Sequence, residues 1–340
     1  MKFLICGYYG FGNAGDELLL SATIRLLNNS HPEAEICVLS KNPDETFRSH
    51  GVVAAYRYNP VAVLWEVLKS DRVIIGGGGL LQDFTGPFTL YYYLAIALLG
   101  LVCRRQTVFH AIGANALNRF NSNICRLIMG HCAVISVRDQ KSLELLAQWG
   151  LPPQKLALTA DPVFSDLPEA VYQPQAQPVV LMVLRHNSNI ARLLPAIAGL
   201  MQITGAKVVA LPFQPSKDGG VAISLSRASK EVVELGLWHD LQSLLCQFDQ
   251  CCLVISERYH ALALAALRGL PAICISDDDK LIRFARQFDC PVLRPSDNFD
   301  PAALNGVAER LWKYRDILKP ALLRKSAAQN ILANLNPALT

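Results

Sequence analysis

Residues 2–17 read Lys2-Phe3-Leu4-Ile5-Cys6-Gly7-Tyr8-Tyr9-Gly10-Phe11-Gly12-Asn13-Ala14-Gly15-Asp16-Glu17. A short apolar run that breaks on glycine predicts a first buried strand, and it is too short for a secretory leader. Gly10, Gly12 and Gly15 fit G-x-G-x-x-G in the strand-to-helix setting that this pattern needs. Glycines let the backbone turn tightly, and the helix that follows offers free N–H groups to an anion or polar ligand. A dinucleotide site would also want an acid after the second strand, where Ser40 and Lys41 stand instead, so the nicotinamide reading is weak. Asp16 and Glu17 read simply as acids that favour the first turn of a helix.

Working outward, short apolar runs at 2–6, 35–39, 72–75, 107–111 and 133–137 alternate with helical patterns such as 17–27 and 142–149. Strand–helix alternation predicts parallel βαβ units in an α/β, doubly wound sheet. The pattern breaks over 161–178, which carries Pro162, Pro168, Pro174 and Pro178. It resumes with strands at 179–184, 206–210, 252–256 and 272–276, and ends in a helical tail from residue 301 to about 335. In the apolar helix after the third of these strands, Gly269 suits the position just past the last turn. The expected organisation is an N-terminal Rossmann-like domain at 1–165, a linker at 166–178 and a C-terminal Rossmann-like domain with terminal helices at 179–340.

The chain has 340 residues, 51% hydrophobic and 18% charged, enough for two cores and unlike a disordered chain. Lys plus Arg is 32 and Asp plus Glu is 28, leaving +4, too thin an excess to make nucleic acid the expected partner. Ten cysteines lie mostly inside apolar segments and read as reduced core residues of a cytoplasmic protein; Cys251-Cys252 lacks zinc-ligand spacing, and no metal is expected. The most apolar run, residues 90–103, is shorter than the ~20 residues that a membrane span needs. It reads as a core helix, with peripheral contact on a membrane surface as the sharper alternative given its aromatic and arginine flanks.

Four glycines, Gly76 to Gly79, follow the third run. They cost backbone entropy that an ordinary turn would not spend, so close approach of a ligand or another chain segment is expected there. No Lys-Ser or Lys-Thr follows, which excludes a Walker-type phosphate loop; Gln82 and Asp83 are within reach of a sugar hydroxyl. Cationic residues stand just past other predicted strands: Arg138, then Arg258 and His260 in Ser256-Glu257-Arg258-Tyr259-His260, and Lys280 after three aspartates. Ligands of open α/β sheets bind at such strand ends. Singly these residues read as a surface ion pair with Asp139, a packed helix-start histidine and a solvated turn charge. Together they suit a small, multiply charged anion, and histidine adds a proton carrier.

The segments GYYGFGNAGDE, IIGGGGLLQD, SVRD, ADPVF at 160–164 and SERYH together resemble the polysaccharide pyruvyl transferases, of the bacterial CsaB type. The resemblance implies two facing Rossmann-like domains, as in the GT-B glycosyltransferases. It implies phosphoenolpyruvate as donor and a wall-glycan sugar as acceptor, an N-acetylmannosamine on a lipid carrier, at the inner face of the plasma membrane. No cofactor beyond this co-substrate is implied. Arg138, Arg258 and His260 match family positions tied to donor and catalysis. Lys280 is assigned to the donor too, although the acid-rich Asp277-Asp278-Asp279 before it departs from the pattern. Gly12, Asn13, Asp16, Gly78, Gly79 and Asp83 are assigned to the acceptor side.

Ketal formation needs C3 of the donor protonated, C2 made cationic, two hydroxyls added and phosphate expelled, which calls for a proton carrier and fixed positive charge. Domain closure would exclude water. Two rivals remain at this stage. A GT-B glycosyltransferase using a sugar nucleotide would want a ribose-binding carboxylate, for which Glu257 is the candidate. A non-catalytic glycan-binding protein would have no use for His260.

Overall fold

The computed structural model describes residues 1–82, 87–165, 177–229 and 233–339. Seven parallel strands form the sheet of the first unit: β1 (Lys2–Cys6), β2 (Glu35–Ser40), β3 (Val53–Tyr56), β4 (Arg72–Leu81), β5 (Gln106–Ala114), β6 (Val134–Val137) and β7 (Leu156–Leu158), in the order β3-β2-β1-β4-β5-β6-β7. Between them run α1 (Ala14–Ser30), α2 (Pro43–His50), α3 (Pro60–Lys69), α4 (Pro87–Val102), α5 (Arg119–Met129) and α6 (Gln140–Gln148). The chain leaves β1 in one direction and passes β4 in the other, so right-handed crossovers put α3 to α6 on the sheet face opposite α1. Two cores follow from the strand alternation. Leu4 and Cys6 pack with Val63, Tyr93, Met129 and Leu146, while Phe3 and Ile5 pack with Leu20, Ile24 and Leu339. Each fully buried Leu, Ile or Phe contributes roughly 1.5–3 kcal/mol.

The second unit repeats the topology with six parallel strands: β8 (Val179–Val183), β9 (Lys207–Ala210), β10 (Val233–Leu235), β11 (Leu253–Ser256), β12 (Ala272–Ile275) and β13 (Val292–Leu293), ordered β10-β9-β8-β11-β12-β13. Its helices are α7 (Ile190–Thr204), α8 (Pro215–Ala228), α9 (Leu241–Asp249), α10 (Tyr259–Leu267), α11 (Asp279–Gln287) and α12 (Pro301–Asn334). Its core joins Val180, Met182 and Ile255 to Leu193, Leu225 and Leu304. Gly269 is left-handed (φ +64°) behind α10, as its position suggests.

The first compact unit is Met1–Phe11, Asp16–Leu167 and Gln329–Thr340, and the second is Gly12–Gly15 and Pro168–Ala328. The sequence reading carried the second half to residue 340, whereas the fold returns the last residues to the first unit. There Asn330 donates to the Phe164 carbonyl (2.8 Å) and Asn336 reaches His110. The expected linker lies largely outside the described residues.

The strands that composition had not marked, β3, β7, β10 and β13, are all sheet edges. A central strand of a parallel sheet is buried on both faces and reads as a continuous apolar run, whereas these edges are short and partly exposed. The ten cysteines are free thiols, and burial pushes Cys6 up to about 11 and Cys290 to about 12, which keeps them protonated. The apolar run at 90–103 is helical, and α4 buries Leu90, Tyr93, Leu94 and Ala97. None of the described helices is long and apolar enough to cross a membrane.

Candidate functional site

In each sheet the strand order reverses at one place, β1/β4 in the first unit and β8/β11 in the second, and the loops leaving those strands flank the crevice where open α/β sheets take ligands. In the first unit the loop after β1 is braced from below. Glu17 accepts from the Gly10 N–H (2.9 Å) and pairs with His50 (2.9 Å), so it does more than favour the helix dipole. Arg57 donates to the Gly7 carbonyl (2.6 Å), and its guanidinium lies 4.4 Å from the Tyr92 ring and 5.2 Å from Phe11. Phe11 in turn stacks on Tyr8 at 4.0 Å.

The glycine run is not a loop but the outer half of β4, paired through Gly76–His110 and Gly78–Ile112 before the register shifts. A β-carbon on Gly76 would sit 2.8 Å from that of His110, and one on Gly77 (φ +79°) 2.9 Å from the Tyr9 hydroxyl. Another chain segment, rather than a ligand, accounts for these two glycines. Gly78 is also left-handed (φ +93°), with Asp16 Oδ1 3.3 Å from its added β-carbon, and Gly79 is half-buried beyond it. Asp83 lies outside the described residues.

Arg138, at the end of β6, is not the surface partner of Asp139. Its guanidinium is 2% exposed and pairs with the equally buried Asp161. Asp139 instead caps α6, accepting from the Ser142 N–H and hydroxyl, both at 2.9 Å. Beside this pair lies His110, wholly buried, whose Nδ1 accepts from Asn336 Nδ2 (2.9 Å), which puts its proton on Nε2. Burial drives its pKa down to about 4, with Asp161 opposing the shift, so the ring is neutral.

In the second unit Arg258 caps α10 without a side-chain bond. Its Nη2 reaches both oxygens of Asp218, at 2.5 and 2.6 Å. Asp218 is fully buried in the first turn of α8. One guanidinium amino group is therefore anchored, and the buried Nε has no hydrogen-bond partner among the described residues. His260 follows in the first turn of α10, its ring edge-on to Tyr259 at 5.1 Å. The Lys280 ammonium lies 5.2 Å from the centre of the Tyr259 ring. Tyr259 thus bridges the imidazole and the lysine. The acids before Lys280 have structural uses: Asp277 accepts from the Ser296 N–H and hydroxyl, and Asp278 caps α11. Neither departs from the role of a fixed turn.

Residues Gly12–Gly15 cluster with this unit. Ala14 donates to the Phe213 carbonyl (2.8 Å), Asn13 Oδ1 accepts from the Gly15 N–H (3.1 Å), and a β-carbon on Gly15 would stand 2.2 Å from His260 Nδ1. Gly12, left-handed (φ +63°), has open space around it. The two most distinctive segments, GNAGDE and SERYH, meet at Gly15 and His260.

Sequence reasoning missed Arg185, which follows β8 across the reversal from Arg258. The signal was there: a cation just past a strand, as at Arg138 and Arg258. Its N–H donates to Glu257 Oε2 (2.7 Å), which the Ser188 hydroxyl also contacts. Burial raises the Glu257 pKa against these bonds. Glu257 therefore fastens the β8 and β11 loops together.

A family model described as polysaccharide pyruvyl transferase matches residues 13–279, most of the chain. The chain belongs to the polysaccharide pyruvyl transferase family. The match begins at Asn13, takes in the run Gly76–Gly79, Arg138, Arg185, Arg258 and His260, and ends one residue before Lys280. No curated protein matches this family member by sequence. Among solved structures it is similar to the UDP-GlcNAc 2-epimerase of Neisseria meningitidis bound to UDP-GlcNAc (13% identity, 96% of this chain and 98% of that one, TM-score 0.64). It is also similar to the Anabaena protein HepE in complex with UDP and glucose (12%, 98% and 95%, 0.65) and to MurG of Acinetobacter baumannii (12%, 98% and 100%, 0.53). At such identities the likeness shows the fold: this pyruvyl transferase has the GT-B architecture of two Rossmann-like domains.

Proposed function

We propose that the protein transfers a pyruvyl group from phosphoenolpyruvate to a sugar of a cell-wall polysaccharide precursor, as a CsaB-type enzyme, forming a pyruvate ketal. The observation that carries this reading is the placement of Arg258 and His260 past β11 and of Arg185 past β8, the two strands at the reversal, with Lys280 beyond the neighbouring β12 and beside the Tyr259 ring. Asp218 fixes one edge of the Arg258 guanidinium, and its other N–H groups suit a carboxylate or phosphate.

In this reading His260 delivers a proton to C3 of the donor and takes one from an attacking hydroxyl, while the cations stabilise the charge that develops. The first sugar hydroxyl bonds to C2, phosphate leaves with the C2–O bond electrons, and the second hydroxyl closes the ketal. Of the two hydroxyl protons released, one balances the proton gained at C3 and the other ends on the departing phosphate. Arg138 is assigned to the donor as well, in a guanidinium shared with Asp161. Gly12, Asn13, Asp16, Gly78, Gly79 and Asp83 are assigned to the acceptor, an N-acetylmannosamine on a lipid carrier at the cytoplasmic side of the membrane. Glu257, the candidate carboxylate for a ribose on a sugar-nucleotide reading, gives its Oε2 to the Arg185 backbone N–H and the Ser188 hydroxyl, which weighs against that reading.

The test is incubation with phosphoenolpyruvate and a panel of N-acetylmannosamine-containing saccharides, following free phosphate by phosphorus NMR and the added pyruvyl group by mass spectrometry. Phosphate release that His260→Ala or Arg258→Ala abolishes, with the fold intact, is expected. No product across the panel, or donor binding displaced by a uridine nucleotide and not by phosphoenolpyruvate, overturns the reading.

A further inference from the structure

The helix α3 is apolar on two sides. Val63 and Val67 face the core, while Val61, Leu64, Trp65 and Leu68, spaced i, i+3, i+4 and i+7, form a second stripe that is open to solvent, Trp65 being 56% exposed. A helix apolar all round is ordinarily buried, so this stripe is a surface without its counterpart. The helix α4, which packs against α3, exposes Leu98 and Val102, and α5, which packs against α4, exposes Phe120 and Leu127.

From α4 to the end of β6 the charge has one sign. Residues 84–138 contain five arginines and no Asp or Glu. Arg138 is buried with Asp161, which leaves Arg104, Arg105, Arg119 and Arg126 along α4 and α5. Arg105 is held at the end of α3 by its bond to the Leu68 carbonyl (2.6 Å), and the Lys69 ammonium lies over the Trp65 ring at 4.6 Å. The nearest acid on α3, Glu66, is paired with Lys2 at 2.8 Å.

We propose that the outer face of α3, α4 and α5 docks on an anionic lipid bilayer. Tryptophan and leucine sink into the boundary between headgroups and acyl chains, while the arginines and Lys69 meet lipid phosphates. A second copy of the chain fits less well, because a two-fold contact would set these uncompensated arginines against themselves. The inference deepens the proposed function, which places the acceptor on a lipid carrier, but it is read without any transfer reaction.

The experiment is flotation of the full chain with vesicles of equal parts phosphatidylglycerol and phosphatidylcholine, and with vesicles of phosphatidylcholine alone. Binding to the anionic vesicles that weakens as salt rises is expected. The exposed double variant W65E/L68E should weaken it at least about ten-fold, and each of Arg104→Gln and Arg119→Gln about five-fold, with melting temperatures unchanged. The proposal is overturned by a chain that stays with the soluble fraction, by variants that float as the parent does, or by a dimer that W65E/L68E dissociates in the absence of vesicle binding. None of these outcomes bears on pyruvyl transfer, and loss of transfer leaves the flotation result standing.

Discussion

A methyl group added at Gly15 would stand 2.2 Å from Nδ1 of His260, well inside van der Waals contact. The second glycine of GNAGDE's first turn is thus matched to the imidazole of SERYH. Gly15→Ala should destabilise the protein by about 1–3 kcal/mol through overpacking. The same change made in a His260→Ala background should cost little, because the clashing ring is gone. Urea denaturation of the four proteins checks this, and equal costs in both backgrounds would show that the contact is absent in solution.

Asp218 fixes the direction of the Arg258 guanidinium. Asp218→Asn keeps the shape of the side chain and removes the charge that holds Nη2. The KM for phosphoenolpyruvate should rise about ten-fold, with a smaller change in kcat, as expected when a binding fork is loosened rather than a proton carrier lost. Steady-state kinetics decide it; an unchanged KM would remove Arg258 from donor binding or Asp218 from its support.

The buried Arg138–Asp161 pair makes an opposite-signed prediction about single and double changes. Asp161→Ala strands a buried cation and should cost about 3–5 kcal/mol, whereas Asp161→Ala combined with Arg138→Leu should recover most of that loss. Thermal melts of the two variants provide the comparison.

His110 gives the protein an acid-sensitive term. Burial holds its folded-state pKa near about 4 against an ordinary value of 6.5. Between those values the unfolded chain binds a proton that the folded chain refuses. The stabilisation is therefore complete above pH 6.5 and declines as pH falls, by up to roughly 3 kcal/mol at pH 4. His110→Asn should flatten this slope in urea midpoints measured across that interval; an unchanged slope would assign it to other groups.

The central strands were legible because a parallel sheet buried on both faces demands unbroken apolar runs, and 2–6, 35–39 and 179–184 meet that demand. The edge strands were not, since Val53–Tyr56 and Leu156–Leu158 carry no such pattern. In the same way, cations just past a strand were visible at Arg258 and Lys280, and Arg185 offered the same signal. The glycine run looked like a loop because four glycines usually mark one; only the pairing of Gly76 with His110 shows it as strand.

Local sequence by itself determined where the core of each central strand lies and which cations stand beyond it, because burial periodicity and turn residues act over a few positions. Only the tertiary structure decided what those cations touch. Arg138 passes over its neighbour Asp139 for Asp161, 23 residues on, and Arg258 takes Asp218, 40 residues back. The physical reason is that an ion pair between distant residues is chosen by which strand ends the sheet brings near one another, and that order belongs to the sheet rather than to any segment of the chain.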